Sequence, residues 1–380
     1  MAHAISHFFQ LVLAPLLPMM REELGVSYST LGFVMMLFFS VSAVLQPFAG
    51  FLVDRVGGRG VLIAGVALMA LGSLVMSFAQ GVALLGVGAS LLGIGNSVFH
   101  PADFAILNGR VSQRRLGYAF SAHGVAGSLG FAAAPLFGAA ITSAYGWRAA
   151  LLATAAAGLA VMILLVASAR NLKVDRARKP QAAAQDARVL LAAPVLMCFV
   201  FFTIWGASYA GLSSFGISAM QAQFGVGTTL AASAITAYMM GSAAGMLSGG
   251  FVAARAARHE LVAGSGLLAA ALLVLAIAAG IVPGVALPAI LGLAGFAAGI
   301  TYPSRDLIVR SATPPGAAGR IYGFVYSGLD VGSLATPMFY GMLIDQGMPQ
   351  GVFYAIFGLM LAAILTVMQL PARSRKPATI

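Results

Sequence analysis

Residues 50–60 read GFLVDRVGGRG, and within them a long apolar run stops at Asp54 and Arg55 before another begins at Val61-Leu62-Ile63-Ala64. A charged cluster between two hydrophobic segments is a short hairpin, and Gly57, Gly58 and Gly60 allow backbone angles that other residues resist. Arg55 and Arg59 place that hairpin on the side of a bilayer where basic residues accumulate. Residues 250–259, GFVAARAARH, repeat the pattern. Gly250 matches Gly50, Phe251 matches Phe51 and Arg255 matches Arg55, while Ala254 replaces Asp54. Likewise Phe99-His100-Pro101-Ala102-Asp103 is echoed by Thr301-Tyr302-Pro303-Ser304-Arg305, and Pro135 by Pro337. The chain is two similar halves that have diverged.

Composition points the same way. Hydrophobic residues make up 60% of the chain and charged ones 8%, with a mean hydropathy of +0.96; a soluble domain is roughly a quarter charged. This composition belongs to an integral membrane protein. The net charge of +11 lies in short clusters between apolar runs, not on one basic surface, so no nucleic-acid partner is expected. Cys198, the one cysteine, sits inside an apolar run, so neither a disulfide framework nor a cysteine metal site is expected. The first apolar run has no basic leader and no small-residue cleavage site. The chain starts almost inside its first helix, which suggests a shortened amino end.

Apolar runs of about 20 residues cross a hydrocarbon core of roughly 30 Å. They fall at 2–20, 28–53, 60–79, 82–108, 116–143 and 147–169, then at 189–216, 228–252, 261–281, 285–309, 320–344 and 351–370, twelve in all. Strands are excluded, because a membrane barrel uses alternating segments of about ten residues. All Lys and Arg except Arg21 and Arg148 fall on one side of this arrangement, which puts both termini in the cytoplasm. The expected fold is all-α, with two pseudo-symmetric six-helix bundles at 1–169 and 189–370, a basic cytoplasmic linker at 170–188 and a cytoplasmic tail at 371–380. Attraction of the linker to anionic lipid heads, about 1 kcal/mol per basic residue, suffices to explain its charge.

The pattern G-x-L-x-D-R-x-G-x-R at Gly50 to Arg59 resembles the signature loop between helices 2 and 3 of the major facilitator superfamily. The resemblance, which extends over essentially the whole chain, implies a transporter with its substrate site near the midplane between parallel repeats. It implies conformational roles for Gly50, Asp54, Arg55, Gly57 and Arg59. Asp54 would cap or pair with the start of helix 11 around Gly319 and Arg320 and hold an outward-facing state. On helix 5, Ser121, Gly130, Ala134-Pro135 and Gly138-Ala139 resemble the antiporter motif of drug and proton exchangers, with Ser121, Ala134 and Ala139 in place of three of its glycines. Small residues at one-turn spacing also let helices pack closely whatever the direction of transport. Phe99-His100-Pro101 resembles fosmidomycin-resistance-type members, while Ala89 stands where many drug exporters carry an arginine.

Polar groups inside a membrane are costly and usually face the bundle interior or a water-filled cavity. On helix 4, His100 and Asp103 are three residues apart and share a face, Asn96 lies a turn away, and Pro101 frees a backbone carbonyl. A histidine exchanges protons at working pH, so His100 with Asp103 is a candidate proton or substrate site; the alternative is a structural histidine beside an aspartate at the water boundary. Arg305, with Asp306, closes helix 10 at the depth equivalent to Asp103, and Asp103 and Arg305 form a candidate inner gate. Asp330, mid-way along helix 11, is a candidate proton carrier unless Ser and Thr hydroxyls satisfy it. His123 on helix 5 is similar. His3 and His7, four apart, can face the cavity with Gln10; a metal site there is not expected. Trp205 and Tyr209 share a face of helix 7 and with Tyr302 make a candidate aromatic wall. Met239, Met240 and Met246 lie together on helix 8, but methionine is usually a gap filler.

The expected function is alternating-access transport of a small organic solute, coupled to protons and directed outward, by a monomer in the inner membrane that needs no cofactor. The alternatives are uptake of a small organic acid, which a basic cavity around His100 and Arg305 would suit, or of a metal ion. A non-transporting receptor or scaffold is the alternative of another class. No nucleotide-binding glycine loop followed by Lys and Ser or Thr is present, so neither an enzyme nor an ATP-driven pump is expected.

Overall fold

The computed structural model describes residues 1–111, 113–168, 190–312 and 318–369. The expected linker and tail therefore lie outside the described residues. Within those described there is no strand, and the chain forms twelve crossings. They are α1 (Ala2–Leu24), α2 (Tyr28–Val56), α3 (Gly58–Ser77), α4 (Val82–Asn96 continued by Phe99–Arg110), α5 and α6 (113–145 and 147–167), α7 (Ala193–Phe224), α8 (Thr228–Arg255), α9 (His259–Ala278), α10 (Leu287–Ser311), α11 (Ala318–Asp345) and α12 (Pro349–Met368). A girdle of exposed apolar side chains, among them Phe33, Leu71, Ile163, Leu247, Leu272 and Leu365, faces outward, as lipid contact requires.

Local chemistry sets the breaks. Of Gly57, Gly58 and Gly60, only Gly57 takes a positive φ, 91°, so α2 stops and α3 starts at once. Gly58 is needed for another reason: a Cβ there would lie 3.1 Å from the Ala102 carbonyl oxygen. Gly146, at φ 84° and ψ 165°, separates α5 from α6 without any loop. Pro101 has no N–H and its ring crowds the preceding turn, and α4 is interrupted between Asn96 and Phe99. A π turn at Gly211–Phe215 widens α7. There the Tyr340 ring lies where a Cβ on Gly211 would be, 2.5 Å from its Cζ, and its hydroxyl donates to the Ala207 carbonyl at 3.1 Å.

The repeat expected from the sequence recurs in the packing. Gly130 of α5 meets α1, where an added Cβ would lie 2.0 Å from the Ala4 carbonyl oxygen; Gly332 of α11 meets α7 with the same 2.0 Å approach to Thr203. Gly241, Gly245 and Gly249 of α8 lie against Gly292, Phe296 and Ile300 of α10, each too close for a side chain. The helix-5 motif residues Gly130, Pro135 and Gly138 are buried, and Gly130 and Gly138 both pack against α1, a Cβ on Gly138 falling 2.7 Å from Pro15 Cγ. Close helix packing is therefore a role these residues visibly have; Ser121 lies outside the described side chains.

The halves meet at the end opposite the termini. Asp345, closing α11, accepts hydrogen bonds from the backbone N–H groups of Tyr28 and Ser29 that open α2, both at 2.8 Å. Gly32 and Gly341 bring α2 and α11 to backbone contact, and Thr236 of α8 donates to the Ala132 carbonyl of α5 at 2.9 Å. These hydrogen bonds tie the halves together on this side.

Candidate functional site

A cavity of about 290 Å³ lies between the halves. Its lining comes from α1, α2, α4, α5, α7, α8, α10 and α11, and α3, α6, α9 and α12 contribute none of it. Packing against neighbours rather than periodicity alone thus decides which polar residues meet. Three groups of side chains converge.

The first belongs to the amino-terminal half. His3 and His7, one turn apart on α1, have their Nε2 atoms 3.1 Å from each other. His3 Nδ1 lies 3.5 Å from an Asp103 carboxylate oxygen, and His123 Nε2 lies 3.9 Å from the same oxygen. The His3 and His123 rings stack at 3.7 Å, and His100 stands 5.7 Å from His3 and 6.5 Å from His7. Three helices thus assemble four histidines around one carboxylate, with His3 8% and Asp103 7% exposed. His7 and His100 reach the cavity; His3, Asp103 and His123 stand behind them. Gly127 makes room, since a Cβ there would lie 2.8 Å from the His3 ring. His3, Asp103 and His123 also have the ligand atoms to hold a metal, all within 4.8 Å of one another.

Gln10 and Asn96 are brought together, though not as a free pair of ligand groups. The Gln10 amide donates to the Asn96 side-chain oxygen at 2.9 Å, and the Asn96 amide donates to Ser42 at 2.9 Å. This chain ties α1 to α4 and α2, and only Gln10 also lines the cavity.

The second group is the aromatic wall of the other half. Trp205 and Tyr209 of α7 and Tyr302 of α10 all line the cavity. Trp205 meets Tyr302 edge-on at 6.2 Å, Tyr209 donates to the Met239 sulfur at 3.5 Å, and Ser242 bonds the Tyr302 hydroxyl at 3.4 Å. Sequence reasoning missed Phe202, Tyr326 and Phe131. Phe202 precedes Trp205 by three residues and so shares its face, a signal that was available; Phe131 and Tyr326 carry none. Phe131 bridges the halves, its ring 4.1 Å from His7 and 6.1 Å from Tyr209.

The third group is charged. Arg305 lies among Phe202, Tyr302 and Tyr326, and its Nε donates to Asp306 at 3.1 Å. Asp306 also accepts from the Tyr326 hydroxyl at 2.8 Å. The structure does not bring Asp103 and Arg305 together as an ion pair: each is held by partners in its own half. Asp330 lines the cavity and has no hydrogen-bond or ion partner among the described residues. The hydroxyls expected to satisfy it are used elsewhere, Ser327 on the Phe324 carbonyl and Ser333 on that of Gly206.

Of the hairpin, Arg55 and Arg59 are described, whereas the Gly50 position and the Asp54 side chain, like the Gly319–Arg320 start of α11, lie outside the described side chains. The described carboxylate cap between the halves is instead Asp345 on α2, at the opposite end.

A family model for the Major Facilitator Superfamily matches residues 1–287 and 210–379. Among curated proteins, the fosmidomycin resistance protein of Escherichia coli is 26% identical over 271 residues, 70% of this chain and 66% of that protein, so the match spans just under two thirds of its length. A multidrug resistance protein B homolog of Mycobacterium tuberculosis is 26% identical over 142 residues, 37% of this chain and 26% of that one. Among solved structures, a bacterial homolog to the human lysosomal transporter Spinster, inward-facing and occupied, superposes with a TM-score of 0.72 at 17% identity, covering 97% of this chain and 92% of its own.

Proposed function

We propose a transport function on one premise: the chain belongs to the major facilitator superfamily. It moves a small organic solute through the central cavity by alternating access, and the movement is coupled to protons. The observation that carries the coupling is Asp330, a carboxyl lining an intramembrane cavity with no hydrogen-bond or ion partner among the described residues. An ionised carboxylate in such a place is expensive, and holding a proton removes the expense. His100 and Asp103, with His3, His7 and His123 around them, are a second cluster of ionisable groups beside the same space. The contacts at the end opposite the termini belong to a conformer sealed on that side, one of the two that alternating access needs. The basic loops support a cytoplasmic membrane protein with both termini inside the cell, and one chain supplies the whole cavity, which supports a monomer.

Export is supported by the resistance functions in the names of the relatives. A second reading, uptake of a small organic acid, is supported by the presence of Arg305 in the cavity.

The test is proton movement in proteoliposomes of the purified protein while organic acids, organic cations and antibiotics are added singly. At least one compound is expected to drive proton flux in the wild type, and Asp330→Asn should abolish that flux while leaving exchange of labelled compound intact. Equilibration of compound with no proton flux in the wild type would sink the coupling.

A further inference from the structure

The cavity holds a cation whose surroundings go beyond charge. Three aromatic rings surround the Arg305 guanidinium, its central carbon lying 4.7 Å from the Phe202 ring centre, 4.6 Å from Tyr302 and 5.7 Å from Tyr326. Aromatic faces stabilise such a cation and fix its plane. Asp306 takes the Nε edge at 3.1 Å and is itself held by the Tyr326 hydroxyl. What remains is the terminal fork: no protein group among the described residues accepts from either Nη, although the Arg305 side chain is only 11% exposed and lines the cavity. A guanidinium locked on its faces and one edge presents its other N–H groups in the fixed geometry that matches two oxygens of an anion.

We propose that Arg305 is the anion-recognition residue of the cavity, and that the transported solute carries a carboxylate, phosphonate or similar oxyanion joined to an apolar or aromatic body. The oxyanion sits on the Nη fork. The body lies toward Trp205, Tyr209 and Phe131, which line the same space. This rests on the transport reading above and names its substrate class. The site is a hydrogen-bonding fork more than a naked charge, because Asp306 offsets part of the cation. Asp330 shares the cavity and opposes an anion until it takes a proton, so the two must be loaded together. Anionic lipid headgroups offer the same oxyanions, but a small cavity walled by aromatic side chains fits a free solute better.

The experiment compares probes that share one body and differ in charge. Benzoate, phenylphosphonate, benzyl alcohol and benzylammonium are titrated into the full-length protein in neutral phosphatidylcholine nanodiscs, with binding followed by calorimetry and by the rise in melting temperature that ligands of the folded state produce. The two anions are expected to bind saturably and the alcohol and ammonium at least about tenfold more weakly, the difference a charge-assisted hydrogen-bond pair gives. Arg305→Lys should lose about tenfold, because a point charge replaces a fork, and Arg305→Gln should lose the preference for anions. Equal binding of benzylammonium, or anion binding unchanged in Arg305→Gln, would overturn the assignment. The wild-type probe series decides the matter even if the variants do not fold. Loss of benzoate binding when phosphatidylglycerol is added to the discs would show that the site belongs to a lipid and also overturn it. Anion binding without flux in proteoliposomes would refute transport and leave the site standing; flux of neutral solutes without anion binding would do the reverse.

Discussion

Asp103 shows how much one side chain's neighbours change its meaning. On the sequence it stands with His100 near the end of α4, opposite the repeat mate Arg305. In the fold it lies under the stacked rings of His3 and His123, buried, with its carboxylate the nearest anion to both. At 3.5 Å and 3.9 Å these contacts act through charge rather than as hydrogen bonds, and removing one partner of a buried charge pair leaves the other uncompensated at a cost of about 3–5 kcal/mol. Asp103→Asn is therefore expected to lower the melting temperature of the purified protein, and His3→Ala should lower it too. Because the two lie in one network, the double variant should fall short of the sum of the singles. Additive losses in a thermal-melt cycle would show that the cluster is not one unit. Neither His3 and His7 at a spacing of four nor His100 and Asp103 at a spacing of three could reveal this arrangement. Those spacings fix faces of single helices, while the distance between α1, α4 and α5 depends on packing that no local pattern encodes.

Among elements, the close helix pairs divide into those that hold each half together and those that join the halves. Gly130 belongs to the first kind. A side chain there would collide with the Ala4 backbone, so Gly130→Val should force α5 from α1 and cost several kcal/mol by overpacking, seen as loss of monodisperse protein in detergent. Gly124→Ala, on the same helix with nothing within 4 Å of the added carbon, should behave as wild type. Asp345 belongs to the second kind: its carboxylate meets the first two N–H groups of α2, where the helix end is positive. Two charge-assisted hydrogen bonds amount to a few kcal/mol, so Asp345→Ala should shift the population toward the conformer open at that end by roughly tenfold or more. Spin labels at positions 26 and 348, with Cys198 replaced, would report this as a longer distance between α2 and α11. An unchanged distance distribution would mean that Gly32 and Gly341 packing holds the seal unaided. The breaks at Gly57 and Pro101 were legible, because positive φ and a missing N–H are properties of one residue. The π turn at Gly211–Phe215 was not, since it follows from the Tyr340 ring of another helix.

At the scale of the molecule, the twelve crossings and the repeat were legible because a bilayer imposes length and apolarity on every span. The cavity's charge balance was not, because it depends on which polar residues turn inward from eight helices. Facing that cavity are His7, His100, Tyr209, Tyr302, Arg305 and Asp330, with Asp306 beside Arg305 and His3, Asp103 and His123 behind the histidines. An anion on Arg305 and a proton on Asp330 stabilise each other, since the proton removes the negative charge that would repel the anion; protons on His7 or His100 add to the same attraction. With benzoate as probe, whose own charge is constant above about pH 5, affinity should rise as pH falls from 8 to 6, by up to tenfold per proton taken up with the anion for each pH unit. The steepness should drop in Asp330→Asn, which mimics the protonated carboxyl. The sign of this dependence also bears on the transport cycle. Solute and proton that strengthen each other's binding travel together, as uptake of an organic acid requires, whereas exchange for export needs each to displace the other, so the rise expected here favours the uptake reading over export. A benzoate affinity that falls with acidification would therefore favour exchange, and would mean that Asp330 and Arg305 do not act on one bound solute.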